Sequence, residues 1–84
     1  MGQPPLHSPT LADVSLRNWV ILGTPHVAAS QRRRLGELGL RAGSRVYLLL
    51  DAVGGGRVVV VDQGRVALDR ATCRRIPVTV EATA

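Results

Sequence analysis

The sequence predicts a small, mainly β barrel of about five strands, with one short α-helix between the first and second strands. Short apolar runs recur along the chain, separated by turn residues about every eight to twelve positions, which is the spacing of small barrels. One segment, residues 30–47, changes from helical to strand periodicity within a few residues. Since the chain has 84 residues, we expect a single domain.

The first strand and the helix are predicted from an apolar run followed by turn residues. The run covers residues 18–22 and is closed by Gly23 and Pro25, after a short element over residues 11–14. The helix is predicted to start at Ser30, because a serine side chain can accept from the free N–H groups of the first turn. Its stripe toward the core comprises Ala28, Gln31, Leu35 and Leu38.

We predict structural roles for three of the residues that follow this stripe in the chain. Gly39 is expected to end the helix in a left-handed conformation. Leu40 is expected to fold back onto the last turn, and Gly43 to complete the chain reversal into the next strand. This junction predicts the order helix, turn, strand before any function is considered.

The remaining elements are read from alternation and turn residues. In residues 45–50, Val46, Leu48 and Leu50 alternate with Tyr47 and Leu49, so one of these two faces is expected on the core and the other against a neighbouring element. The three glycines of residues 54–56, each free to adopt positive φ, are expected to form a hairpin tip. Further strands are predicted over residues 58–61, 65–68 and 76–80, with a brief helical turn capped by Asp69 and with Pro77 at an edge or a strand start.

The chain contains the segment RRRLGELGLRAGSRV, followed by DAVGGGRVVVV, GRVALDR and IPVTV. This series of segments resembles the FeoA family. The resemblance covers roughly residues 11–80, and its most specific part is the helix-Gly-Leu-x-x-Gly junction together with the Ala67-Leu68 strand ending. It implies an SH3-like barrel that accompanies the ferrous iron transporter FeoB. Gly36 and Gln31 depart from the family pattern, since bulky apolar residues are usual at these positions.

Composition bounds the class of protein. Residues 1–10 are expected to form a disordered tail, residues 11–81 the barrel domain and residues 82–84 a short C-terminal tail. Cys73 is the single cysteine, so an internal disulfide is excluded. With no signal peptide and no apolar run of membrane-spanning length, a cytoplasmic location without membrane insertion is expected.

The net charge of +5 raises the question of whether the protein binds nucleic acid. All eleven basic residues are arginine, and three of them are consecutive, Arg32 to Arg34. Consecutive helical residues point about 100° apart, so this triplet favours a solvated helix face over a binding patch. Barrels that bind single strands also stack bases on aromatic side chains, and Trp19 and Tyr47 are the two that this chain has.

No constellation of residues indicates catalysis or a metal site. His7, His26 and Cys73 are the chemically versatile side chains, and the six carboxylates are scattered. A Cys73–His26 pair is disfavoured, because a cysteine in a short apolar turn is more often a small buried hydrophobe. His26 and Glu37 lie about three helical turns apart, so we expect no stable metal site. Because no catalytic residues are grouped in the sequence, we also expect no enzyme activity and no cofactor.

The sequence therefore predicts a non-enzymatic interaction module. By resemblance, its partner is the cytoplasmic G-protein part of a FeoB-type transporter, and the rim around Arg33, Val53 and Arg57 is the expected contact surface. Two alternatives stay open: a small basic nucleic-acid-binding barrel, and a detached relative of the barrel domain of iron-dependent repressors. Weak self-association through an exposed strand also stays open.

Overall fold

The computed structural model describes residues 9–62 and 64–81. The expected tails, residues 1–10 and 82–84, lie outside this part of the chain except for residues 9 and 10. The elements are β1 (Trp19–Leu22), α1 (Ala29–Glu37), β2 (Arg45–Asp51), a 3-10 turn (Val53–Gly55), β3 (Arg57–Val61), β4 (Gly64–Leu68), α2 (Arg70–Arg74) and β5 (Val78–Val80).

The strands form one antiparallel sheet in the order β4-β3-β2-β1-β5. Consecutive strands from β1 to β4 are neighbours, and β5 returns to pair with β1 on its other side, with Ile21 opposite Thr79. The helix α1 lies between β1 and β2 in the chain. The predicted fold class, a mainly β barrel of five strands with a helix at this position, is confirmed.

The core lies between the inner face of the sheet, both helices and the N-terminal turn. Fully buried side chains come from each strand of the β1-β2-β3 centre, for example Val20, Val46 and Val59. The buried cluster comprises Leu11, Val14, Val20, Leu22, Leu35, Leu40, Val46, Leu48, Val59, Leu68, Cys73, Ile76 and Val78. Because both helices contribute to it, their positions are fixed by the same core as the sheet.

Leu50 was expected on the same face of β2 as Val46 and Leu48, and that prediction is wrong. The pairing of β2 with β3 shifts between Leu48 and Leu50, where a bulge inserts one extra residue. Because side chains alternate with a period of two, the extra residue inverts the alternation beyond it. Val46 and Leu48 are fully buried, whereas Leu50 is 44% exposed on the outer face.

The hairpin between β2 and β3 uses its three glycines in two ways. Gly54 and Gly55 have φ of +83° and +89°, as expected. Gly56 does not: its φ is −76°. A Cβ atom there would lie 2.3 Å from the carbonyl oxygen of Leu68, so Gly56 is required by close approach of two backbones instead of by positive φ.

The chain before β1 joins the sheet earlier than expected. The carbonyl of Pro9 accepts from the N–H of Val78, and Thr10 forms a bridge with Pro77, so Pro77 directly precedes β5 as predicted. The short element predicted over residues 11–14 is a turn, and its Leu11 N–H donates to the carbonyl of Ile76. This turn covers one end of the core.

Candidate functional site

The start of α1 differs from the prediction. Ser30 was expected as the N-cap, but the N-cap position is Ala28, which makes no side-chain capping bond. The carbonyl of Ala28 accepts from the N–H of Arg32 at 2.8 Å, so the helix starts before Ser30. Ser30 instead lies inside the first turn.

The end of α1 fixes the next side chains with a pair of capping bonds. The N–H of Leu40 donates to the carbonyl of Leu35 at 2.8 Å, and the N–H of Gly39 donates to that of Gly36 at 3.0 Å. This is the Schellman arrangement, in which the residue after the cap is left-handed, and Gly39 has a φ of +92°. Leu40 is fully buried by this fold-back, while Leu38 stays at the surface.

Gly43 completes the reversal that follows. Its φ is +89°, and its N–H donates to the carbonyl of Leu22 at 2.8 Å. The end of α1 and the start of β2 are thereby tied to the end of β1. This tie holds α1 at a fixed place beside the sheet.

The predicted apolar stripe of α1 is covered along only part of its length. Leu35 is 5% exposed, but Leu38, one turn further on, is 45% exposed. Gln31 is exposed and donates through Nε2 to Oγ1 of Thr72 at 3.4 Å, which sets α2 beside α1. A stripe that is not fully covered leaves an open surface between the helix and its neighbours.

That surface is a groove of about 470 Å³ between α1 and the end of β4, which we call the helix–strand groove. Its apolar part is formed by Leu35, Leu38, Ala67 and Leu68, and Arg34 stands beside it. The full lining is Ser30, Gln31, Arg34, Leu35, Leu38, Ala67, Leu68, Asp69 and Thr72. Sequence reasoning missed the groove, and the departure from the family pattern at Gln31 was the signal that could have indicated it.

Leu38 also borders two smaller cavities on its other side. One, of about 230 Å³, lies against Val61 and the first half of β4. The other, of about 100 Å³, lies against Gly39 and Val61. Because β4 pairs with β3 alone within the sheet, the larger of these two cavities and the groove lie along an edge strand. Leu38 is therefore an exposed apolar side chain at the centre of a concave surface.

Side chains that could do chemistry are occupied or isolated here. Asp69 accepts from the N–H of Thr72 at 2.8 Å as the N-cap of α2, and its bonds to Thr72 lower the pKa of its carboxyl. Burial raises the pKa of the Cys73 thiol, which is fully buried, while His26 is exposed. Within residues 9–62 and 64–81, no three His, Cys, Asp or Glu side chains converge on a point that could hold a metal ion.

The three residues predicted to contact a partner have different surroundings. Arg33 is exposed on α1, about 200° around the helix from buried Leu35. Val53 is fully exposed at the hairpin tip. Arg57 points inward: its Nη1 donates to the carbonyl oxygens of Leu11 and Val14, and its side chain is 15% exposed.

An aromatic cluster on the outer face of the sheet was not predicted. Trp19 and Tyr47 are paired across β1 and β2, with ring centroids 5.1 Å apart. The guanidinium of Arg45 lies 3.8 Å from the Trp19 ring centroid and is held by Glu81 through bonds of 2.6 and 2.9 Å. The two aromatic rings are thus partly occupied by the protein's own arginine.

None of the helices in the described part of the chain is long and apolar enough to cross a membrane.

The three pockets described above are all bordered by α1, and the largest of these three is the helix–strand groove. The geometry therefore offers a concave surface with an exposed leucine.

Comparison with known proteins identifies similar chains. The model of the FeoA domain family matches residues 22–80. No curated protein matches the chain in sequence.

Solved structures of FeoA and FeoA-like proteins share the fold of this chain. A FeoA protein from Chlorobium tepidum superposes with a TM-score of 0.80 at 23% identity, over 88% of this chain and 71% of that one. A FeoA-like protein from Clostridium acetobutylicum gives 0.74 at 18% identity, over 89% and 88%. FeoA from Stenotrophomonas maltophilia, described as a prokaryotic SH3 domain protein in complex with zinc, gives 0.70 at 27% identity, over 86% and 91%.

Proposed function

Because this chain belongs to the FeoA family, we propose that it is a non-enzymatic accessory protein of ferrous iron transport. The Stenotrophomonas maltophilia relative is described as a candidate activating factor of bacterial ferrous iron transport, which supports this role. The partner that we propose is the cytoplasmic G-protein part of a FeoB-type transporter. The protein would then work in the cytoplasm and modulate transport instead of performing it.

The observation that carries this proposal is the helix–strand groove, which Leu38 helps to line. Leu38 is 45% exposed beside a partly apolar groove, and burying its side chain against a partner would be favourable. Binding energy at protein interfaces is concentrated in such apolar anchors and pockets. A groove without a catalytic group therefore fits a binding module better than an enzyme.

Arg33 and Val53 are proposed as further contacts, outside the groove. Arg33 is exposed on the helix that forms one wall of the groove, and it can steer an acidic partner. Val53 is an apolar side chain fully in solvent at the hairpin tip. For Arg57 we propose an indirect part: it holds the hairpin that carries Val53, since its guanidinium is bonded within the molecule.

The proposed interaction is tested by pull-down and calorimetry with the isolated cytoplasmic G domain of the transporter. Leu38→Ser should weaken binding by about tenfold or more, as expected for an interface anchor. Leu50→Ser is the matched control, because Leu50 is 44% exposed but lies on the outer face of the sheet. Arg33→Gln and Val53→Ser should each give a smaller loss.

Two results would contradict the proposal. One is failure of the parent protein to bind the G domain at all. The other is an equal loss of affinity for Leu38→Ser and Leu50→Ser, which would show that the groove does not contribute specifically to binding. Circular dichroism of each variant establishes that it is folded before its binding is compared.

A second candidate function, nucleic-acid binding, is motivated by the net charge of +5. If it were correct, affinity for RNA or DNA should fall steeply with salt, with a slope set by the number of phosphates contacted. We expect weak binding at physiological salt instead, since the rings of Trp19 and Tyr47, which could stack bases, pack on each other, and Arg45 lies over Trp19. Sub-micromolar RNA binding without any G-domain interaction would favour this second function.

A further inference from the structure

The positive charge of the protein is concentrated on its two helices. The helix α1 and the helix α2 with its capping residues carry six of the eleven arginines and two of the six carboxylates, a net charge of +4 out of +5. One of these carboxylates, Asp69, is engaged as the N-cap of α2. The arginines are Arg32, Arg33, Arg34, Arg70, Arg74 and Arg75, and all six are exposed.

The contacts between the helices make this charge one surface, which we call the arginine face. Gln31 of α1 bonds to Thr72 of α2 at 3.4 Å. The loop before α1 joins the end of α2, since the N–H of His26 donates to the carbonyl of Arg75 at 2.7 Å. Arg32 turns back onto this loop, with its Nη2 donating to the carbonyl of Val27 at 3.2 Å.

The arginine face is not neutralised by ion pairs. In the described part of the chain, the two ion pairs found join Arg45 to Glu81 and Arg57 to Asp51, and both arginines lie on strands. On α2, Arg70 and Arg74 are four residues apart and so share one stripe of the helix. The face is made of long side chains whose charged ends can move toward a common plane.

We propose that the arginine face binds the anionic phospholipid headgroups of a membrane surface. A charged bilayer plane needs dispersed cations and no pocket, and each arginine near it contributes separately to the affinity. Trp19 and Tyr47 lie on the sheet and not on the arginine face, so the face has no platform for stacking bases, which favours lipid over single-stranded nucleic acid. The inference rests on the proposed function, since an accessory of a membrane transporter works beside the membrane.

The test uses the full chain and sedimentation with vesicles. The protein should bind vesicles that contain phosphatidylglycerol, should not bind pure phosphatidylcholine vesicles, and should be released by salt. The triple variant Arg70→Gln, Arg74→Gln, Arg75→Gln should bind about a hundredfold more weakly, taking about fivefold for each arginine. The matched control is Arg17→Gln, Arg41→Gln, Arg65→Gln, which removes the same charge from exposed positions outside both helices and should lose much less.

Absence of binding to phosphatidylglycerol vesicles would overturn the proposal, and so would equal losses in the two triple variants. Tighter binding to duplex DNA than to the vesicles at the same salt concentration would assign the face to nucleic acid and overturn it too. The G-domain experiment is done without membranes, and the vesicle experiment without the G domain. Failure of the lipid proposal is therefore distinguishable from failure of the proposed function.

Discussion

Arg57 donates from Nη1 to the main-chain carbonyl of Leu11 at 3.0 Å, which joins the central hairpin to a turn 46 residues earlier in the chain. The same nitrogen donates to the carbonyl of Val14, and Nε lies 3.3 Å from a carboxylate oxygen of Asp51. The Arg57 side chain is 15% exposed, and its bonds connect the hairpin to the N-terminal turn inside the protein. It fixes the N-terminal turn over one end of the core.

The first prediction is that Arg57→Ala destabilises the protein by about 2 to 4 kcal/mol, because hydrogen bonds from a charged group are lost and two carbonyls lose their donor. Urea unfolding followed by circular dichroism measures the change. Arg65→Ala, at an exposed strand position, should change stability by no more than about 0.5 kcal/mol. Similar urea midpoints of unfolding for the two variants would show that the bonds of Arg57 do not stabilise the fold.

The second prediction contrasts Gly36, inside α1, with Gly39, which follows the end of the helix. Gly39 has a φ of +92°, and a Cβ there would meet Val61 only at ordinary contact distance, so the cost of Gly39→Ala is conformational, at least about 1 kcal/mol. Gly36 lies inside α1, and a Cβ there would have no atom within 4 Å. Gly36→Ala should therefore stabilise by about 0.5 to 1 kcal/mol. Thermal melts that shift in the same direction for both variants would contradict this reading of the junction.

The junction around Gly39 could be predicted from sequence because its signals are local. A left-handed glycine followed by a leucine that folds back depends on residues within one helical turn. The end of β1, the hairpin and the Asp69 cap were predictable for the same reason. These elements define the order of the chain and hence the fold class.

The features that sequence reasoning missed depend on distant partners. Leu50 faces outward because of the bulge in the pairing of β2 with β3, which no alternation within β2 reveals. Arg57 was expected at a partner surface, but its acceptors lie 43 and 46 residues away. The exposure of Leu38 likewise depends on where β4 passes the helix. Such long-range contacts decide the site, although they do not change the fold class.

The third prediction concerns acid. The side-chain hydrogen bond from Arg45 lowers the pKa of the Glu81 carboxyl, so this ion pair stabilises the folded state above the unfolded pKa of about 4.3. The contribution is lost as the pH falls through the lower folded-state pKa, because protonation removes the charge that Arg45 holds. Glu81→Gln should therefore be less stable than the parent at neutral pH and approach it as the pH falls to about 3.

Melting curves followed by the fluorescence of Trp19, against which Arg45 packs, measure this difference. Glu37→Gln is the matched control, since Glu37 is exposed and forms no ion pair within the described residues. Its melting temperature should follow the parent at every pH. A difference between Glu81→Gln and the parent that stays constant with pH would contradict the linkage.

The last prediction is that the chain has no tight site for zinc or ferrous iron. A stable zinc site needs three or four nitrogen, sulfur or oxygen ligands around one point, and the described residues contain no such group. Cys73 is fully buried with a raised pKa, which disfavours the thiolate that would bind a metal, and His26 is exposed. Calorimetric titration of the full chain should show no saturable binding tighter than about micromolar. Zinc is the stringent choice, because the Stenotrophomonas maltophilia relative was solved in complex with it. A stoichiometric site of higher affinity would contradict the prediction, and its loss in His7→Gln or in His26→Gln would then identify a ligand.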